Sequence, residues 1–196
     1  MSLPCPSRIT RLILLICVFA GIPNLALAQL GATGITGGRM VTSLDDGWRF
    51  QYGAQDANVT DAKFDDREWQ PVTIPHTWNR LGNDGTQVAA DTDTDRGVGW
   101  YRLDLELPAM PKGRHYFLQF DGVATIADVW LNGTPLGEHR GAYARFRFDV
   151  STQLKSGHNL IVVKADNSLP AAGSSTENVL PLGGDYFLYG GIYRGV

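Results

Sequence analysis

The sequence predicts an all-β protein, an antiparallel β-sandwich. Three observations carry this. Apolar and charged side chains alternate with period two in Tyr101–Leu107 and again in Phe146–Val150, a spacing that only a strand can bury on one side. Asn132-Gly133 stands between two short extended runs, and Asn-Gly accepts the two positive φ angles of a type I′ hairpin turn. No stretch shows a convincing amphipathic helix, whereas turn signals recur between six to nine short strand-like runs, the pattern of a sandwich. Periodicity does not choose between an immunoglobulin-like sandwich and a jelly roll. Long end loops and the lack of a Cys-Trp-Cys pattern lean toward the jelly roll.

The first 28 residues stand apart from the fold. Arg8 and Arg11 precede an apolar run from Leu12 to Ile22, and Ala26-Leu27-Ala28 offers the small residues of a cleavage site. Together these describe a secretory signal cut after Ala28, and the run is too short for a span of about 20 apolar residues. The expectation is therefore an exported protein, periplasmic or secreted, with no membrane partner after cleavage. Residues 29–42 are rich in Gly, Ala and Thr without a hydrophobic period, and read as a flexible lead-in.

Residues 43–196 form the predicted domain, long enough to bury a sizeable core. Trp48 and Phe50 share one side of an extended run after Asp45-Asp46-Gly47. Residues 56–68 are polar, with room for one short helical turn. Pro71 and Pro75 confine residues 69–78 to an edge strand or an ordered extended segment. Residues 80–97 read as a long polar loop. Tyr101, Leu103, Leu105 and Leu107 face inward, with Arg102, Asp104 and Glu106 outward. Tyr116, Leu118 and Phe120 face inward, and the Asn-Gly hairpin follows, with a Gly-marked bend at Gly141. Residues 159–166 are almost continuously apolar, which suits a strand covered on both faces.

Composition narrows the function. Cys5 and Cys17 both lie in the signal segment, so the mature portion has no cysteine for a disulfide, a redox motif or a thiolate metal site. Without the signal, 15 basic residues face 20 acidic ones, a net charge of −5. That mildly acidic balance gives no footprint for nucleic acid.

In order along the chain, DGWRF, IPHTWN, RGVGWYR, VWLNGTPLGEHRGAYARFRFDV, VVKADNS and GGIYRGV resemble the N-terminal sugar-binding domain of glycoside hydrolase family 2. That family includes β-galactosidases, β-glucuronidases and β-mannosidases. The resemblance covers Ser43 to Val196. It implies a galactose-binding-domain-like jelly roll, followed in the family by an immunoglobulin-like sandwich and a (β/α)₈ barrel that carries the catalytic carboxylates. The chain thus reads as a fragment of a glycosidase, of β-galactosidase type, that takes a β-glycoside as ligand and the two further domains as partners. A stand-alone carbohydrate-binding module is the alternative.

Retaining glycosidases need two carboxyl groups about 5–5.5 Å apart. None of Glu68, Glu106, Glu138 and Glu177 sits in a motif that suggests such a pair, so no catalytic residue is expected here. No cofactor is expected, and no metal: Asp91-x-Asp93-x-Asp95 places Arg96 and Arg102 where an EF-hand wants Gly and Glu. The resemblance points to Asp166, with Asn167 beside it, as an exposed carboxylate that accepts sugar hydroxyls at a strand end. The competing reading is a turn-forming Asp-Asn-Ser whose side chains bond nearby amides. Asn83 and Asp84 fall where the family supplies another polar contact. Arg96, Tyr101 and His76 read as structural. Trp100 is either a packing residue or a stacking plane for a pyranose. The aromatic group Tyr186, Phe187, Tyr189 and Tyr193 is expected to line a surface for neighbouring domains. Asn58 and Asn132 each open a glycosylation sequon.

Overall fold

The computed structural model describes residues 33–36, 39–79, 96–111, 113–179 and 189–196. Ten strands follow in order among them: β1 (Thr33–Thr36), β2 (Arg39–Thr42), β3 (Trp48–Tyr52), β4 (Gln70–Val72), β5 (Val98–Leu107), β6 (Phe117–Phe120), β7 (Ile126–Leu131), β8 (Thr134–Arg140), β9 (Phe146–Asp149) and β10 (Gly157–Asp166). One 3-10 turn, Ala57–Thr60, sits between β3 and β4. The main sheet runs β4-β3-β5-β10-β7-β8, and β6 pairs with β9 opposite it. Every strand pairing is antiparallel.

Register brings the apolar residues onto one face. Phe50 lies opposite Tyr101, Tyr101 opposite Val163, and Val163 opposite Val129. One turn of the pleat away, Trp48, Leu103, Ile161 and Leu131 form the parallel row. Leu118 and Phe120 of β6, with Phe146 and Phe148 of β9, close the core from the other layer. These are the period-two sets that the sequence alternation singles out, and the antiparallel sandwich is the fold they build.

The outer face of the main sheet is covered too. Leu160, Val162 and Ile126 are fully buried there, as the continuous apolar run of β10 requires. Part of the cover is the segment 57–69, which brings Val59 and Trp69 inside. Arg102 lies on the outer face, as the alternation expects, but it is buried there. Its side chain is only 3% exposed and bonds Asp66 (Nε to Oδ2, 2.7 Å) and the carbonyls of Val59 and Asp61. Its guanidinium also lies over the Phe64 ring, 5.2 Å from the centroid. Strand alternation placed the residue on the correct face; what it does not encode is that a distant segment roofs that face.

The lead-in also differs from expectation. Within 29–42, β1 and β2 pair in register from Thr33↔Thr42 to Thr36↔Arg39. The Thr, Ile and Val content favours strands. Met40 and Val41 of this hairpin are 58% and 54% exposed.

The Asn-Gly turn forms with both φ angles positive, 53° at Asn132 and 77° at Gly133. Asn132 then ties the hairpin to the rest. Its Oδ1 accepts from Leu160 N (3.0 Å), and its Nδ2 donates to Gln153 O (3.1 Å) and to Asn159 Oδ1 (3.0 Å). Both amide hydrogens are thus committed, which closes this sequon to a glycan. Asn132→Ala is expected to lose about 2 kcal/mol, since three hydrogen bonds and the left-handed preference go together. Asn132→Gly keeps the backbone freedom and loses only the bonds, so its urea midpoint should fall between the two.

Candidate functional site

Asp166 ends β10 next to Val98 of β5 and Ile126 of β7. It is 6% exposed. Its Oδ1 accepts from Ser168 N (2.8 Å) and its Oδ2 from Ser175 Oγ (2.7 Å). The first bond is the two-residue Asx turn foreseen as the structural alternative; the second ties down the following loop. Arg140 supports that loop, donating to Ser175 O (3.1 Å) while paired with Glu138 (2.5 Å). Asn167 is fully buried. Its N–H donates to Gly97 O (3.0 Å), and its Oδ1 accepts from Gly97 N (2.9 Å). The structure thus brings Asp166 and Asn167 together at the end of the sandwich where β5 begins. Asn83 and Asp84 lie outside the described residues, as do Asp91, Asp93, Asp95, Tyr186 and Phe187.

A second cluster at this end was not foreseen as a unit. Trp78 stacks on Phe50 (5.8 Å, 13° between planes) and meets Tyr52 (5.8 Å, 57°). Phe50 leads on to His76 (4.6 Å) and Tyr101 (4.9 Å). The indole lies in a slot walled by glycines. A Cβ on Gly99 would sit 2.5 Å from it, and one on Gly190 would overlap it outright. Gly191 is equally constrained, with a Cβ there 2.5 Å from His76 O. At Gly99 and Gly190 the bare backbone leaves room for the Trp78 indole, whereas Gly191 holds a φ of 127° and abuts His76 O and Tyr101 Oη. The signal was legible only as glycine beside aromatics, and it does not say which ring fills which slot.

His76 Nδ1 lies 2.9 Å from Tyr101 Oη, the hydrogen-bonded structural place expected of it. Burial pushes the His76 imidazole below its ordinary value and the Tyr101 phenol well above. A depressed histidine is neutral when folded and charges more readily when unfolded. Its contribution is therefore intact above the unfolded value near 6.5 and is lost as pH falls through the lower folded value. His76→Gln is expected to flatten the decline in melting temperature between pH 7 and 5, and an unchanged slope would refute this.

Other candidates are surface features. Glu68, Glu106, Glu138 and Glu177 are all exposed, and Glu177 accepts from Gly173 N (2.8 Å). Trp100 packs parallel to Trp130 (5.8 Å, 24°) on the outer face. A cleft of about 250 Å³ lies beside β3 and β4, lined by Gly47, Trp48, Arg49, Pro71, Val72 and Thr73; it holds no carboxylate. Among the described residues, no group of three or more His, Cys, Asp or Glu side chains converges as metal ligands do.

Residues 41–196 match the sugar binding domain of the glycosyl hydrolases family 2. The chain belongs to this family. A β-glucuronidase of Bacteroides fragilis is 36% identical over 154 residues, 78% of this chain and 19% of that protein. A β-galactosidase of Thermoanaerobacter pseudethanolicus is 34% identical over 137 residues, 68% of this chain and 17% of that one. Among solved structures, Bacteroides uniformis β-glucuronidase 2, covalently bound to cyclophellitol-6-carboxylate aziridine, superposes with a TM-score of 0.65 at 33% identity. It covers 78% of this chain and 17% of its own. The family 2 chain thus spans about a fifth of the length of these relatives, and the stretch they share is the sandwich described above.

Proposed function

We propose that this family 2 domain forms one wall of the carbohydrate site of an exported glycosidase that hydrolyses β-glycosides. The observation that carries the reading is the match of residues 41–196 to a sugar binding domain in relatives named as β-glucuronidases and β-galactosidases. The four glutamates of this chain are exposed and scattered, whereas retaining hydrolysis wants two carboxyl groups about 5–5.5 Å apart. On this reading the acid/base and the nucleophile are supplied by the barrel that the family resemblance implies. Within this wall, Asp166 and Asn167 serve the ligand by bracing the end of β10, because their polar atoms hold Ser168, Ser175 and Gly97. The carboxylate oxygens of Asp166 retain further lone pairs for a sugar hydroxyl. The amino-terminal segment directs export and is removed after Ala28.

The family resemblance leans toward the β-galactosidase type, and relatives named β-glucuronidase and β-galactosidase stand at similar identity. The test is hydrolysis of aryl β-galactosides and aryl β-glucuronides by the full-length enzyme that carries this domain, beside the 196-residue chain alone. Turnover by the longer enzyme and none above buffer by the chain is the expected result. Turnover by the chain alone, or of neither glycoside by the longer enzyme, overturns the reading.

A further inference from the structure

Strand register sorts the outer face of the main sheet into rows. One row runs through Arg49, Arg102, Val162 and Trp130, and the segment that carries Val59 and Asp66 roofs it at Arg102. Another holds Asp166, Ile126 and Arg140, and Ser175 closes over it, joined to both Asp166 and Arg140. Between them lies a third. Gln51, Trp100, Lys164, Asp128 and Glu138 stand opposite one another in turn across five strands. The first four are half-buried and Glu138 is exposed. Lys164 and Asp128, at the centre of the sheet, keep 26% and 25% of their side-chain surface open. A strand covered on both faces is apolar throughout, and Lys164 interrupts the apolar run of β10 where that cover is missing.

The open row carries the groups that hold a polyol. Trp100 supplies an apolar ring, set parallel to Trp130 so that the two indoles brace each other (5.8 Å, 24°). Pyranose C–H groups pack on such a ring. Beside it Lys164 Nζ donates to Asp128 Oδ2 (3.2 Å). That bond leaves the ammonium two further hydrogens and the carboxylate further lone pairs, so the pair offers donors and acceptors to hydroxyls at one place. Glu138 is matched by Arg140. The charges along the row thus cancel in pairs, which suits an uncharged ligand and gives no pull on a polyanion. Four strand spacings make the row about 19 Å long, several pyranose rings end to end.

We propose that this row is a binding track for an uncharged, β-linked oligosaccharide laid across the strands of the main sheet. Trp100 is its stacking plane, and the Lys164–Asp128 pair is its hydrogen-bonding centre. The class of ligand rests on the reading of the domain as a carbohydrate-binding one. The binding itself is measurable without turnover.

The experiment is an NMR titration of the full, isotopically labelled chain with a β-linked galactotetraose, read at the indole N–H and backbone amide signals. The Trp100 and Trp130 indole signals and the Lys164 and Asp128 amides should move together to saturation. Trp100→Ala and Asp128→Ala should each weaken binding by about tenfold, the loss expected of one ring contact or one set of hydroxyl bonds. Trp100→Phe keeps a ring and should lose less. Galactobiose, which fills only part of the row, should bind more weakly than the tetraose. If Trp100→Ala does not fold, Asp128→Ala decides, because its side chain reaches the surface. No shift, shifts confined to the amides around Asp166 and Asn167, or undiminished binding by Asp128→Ala overturns the proposal. So does an oligoglucuronate that binds more tightly than the neutral probe, or movement of the same signals on dilution without sugar, the mark of a second copy on this face. A longer glycosidase inactive on every β-glycoside would remove the proposed function and leave the titration standing. An active one whose domain shows no shift would do the reverse.

Discussion

Arg102→Ala should lower the stability of the domain by about 3–5 kcal/mol, the loss seen when one member of a buried ion pair is removed. The guanidinium supplies donors to three acceptors at once: the Asp66 carboxylate, Val59 O and Asp61 O. Alanine strands all three. Asp66 keeps only a longer contact to Arg49, 3.7 Å, and the Val59 turn loses the anchor that holds it on the outer face. Arg102→Lys retains the charge but not the planar fork, so a lysine can serve the carboxylate or the carbonyls and not both. It should fall between wild type and alanine. The check is urea unfolding of the three proteins with the m-values compared. A loss below about 1 kcal/mol for alanine would mean that water replaces the guanidinium, an outcome in the range of exposed pairs.

Arg102 also marks the boundary between what the sequence discloses and what it does not. Local alternation is a property of consecutive residues, so β5, β9 and the two faces of β10 were readable from the text. The hairpin at Asn132-Gly133 was readable because only a few dipeptides tolerate its backbone; Pro71 and Pro75 limit residues 69–78 to an edge strand or an extended segment, and Gln70–Val72 is the edge strand. Contacts between segments far apart in sequence carry no such local mark. The roof that buries Arg102 comes from residues 36 to 43 positions earlier. The grip of Asn79 on Gly190 spans 111 positions. The same limit applies to the candidate site. Asp166 was singled out through family resemblance and a strand end, and the strand end is where it lies. The bond from Ser168 is the local turn that Asp-Asn-Ser announces; that the other oxygen meets Ser175 depends on how the loop folds back, which composition does not encode.

Trp78→Ala should cost about 2–3 kcal/mol, below the roughly 3–5 kcal/mol of a fully buried aromatic side chain, because the indole is only partly buried against the core. The indole fills the slot between Gly99 and Gly190 and stacks on Phe50, so its removal leaves a void bounded by backbone that has no side chain with which to collapse. Gly190→Ala attacks the same contact from the other side. Its methyl would overlap the indole, and overpacking of this kind costs about 1–3 kcal/mol. Combined, the two substitutions should not add. The three atoms nearest to a methyl at Gly190 all belong to the indole, so removing it relieves that collision and the double variant should be no less stable than Trp78→Ala alone. Additive losses in a thermal or urea double-mutant cycle would show that Gly190 is required for its backbone path rather than for the ring it admits. The sign of that coupling thus separates a packing slot from a turn, which is the distinction that glycine-rich sequence leaves open.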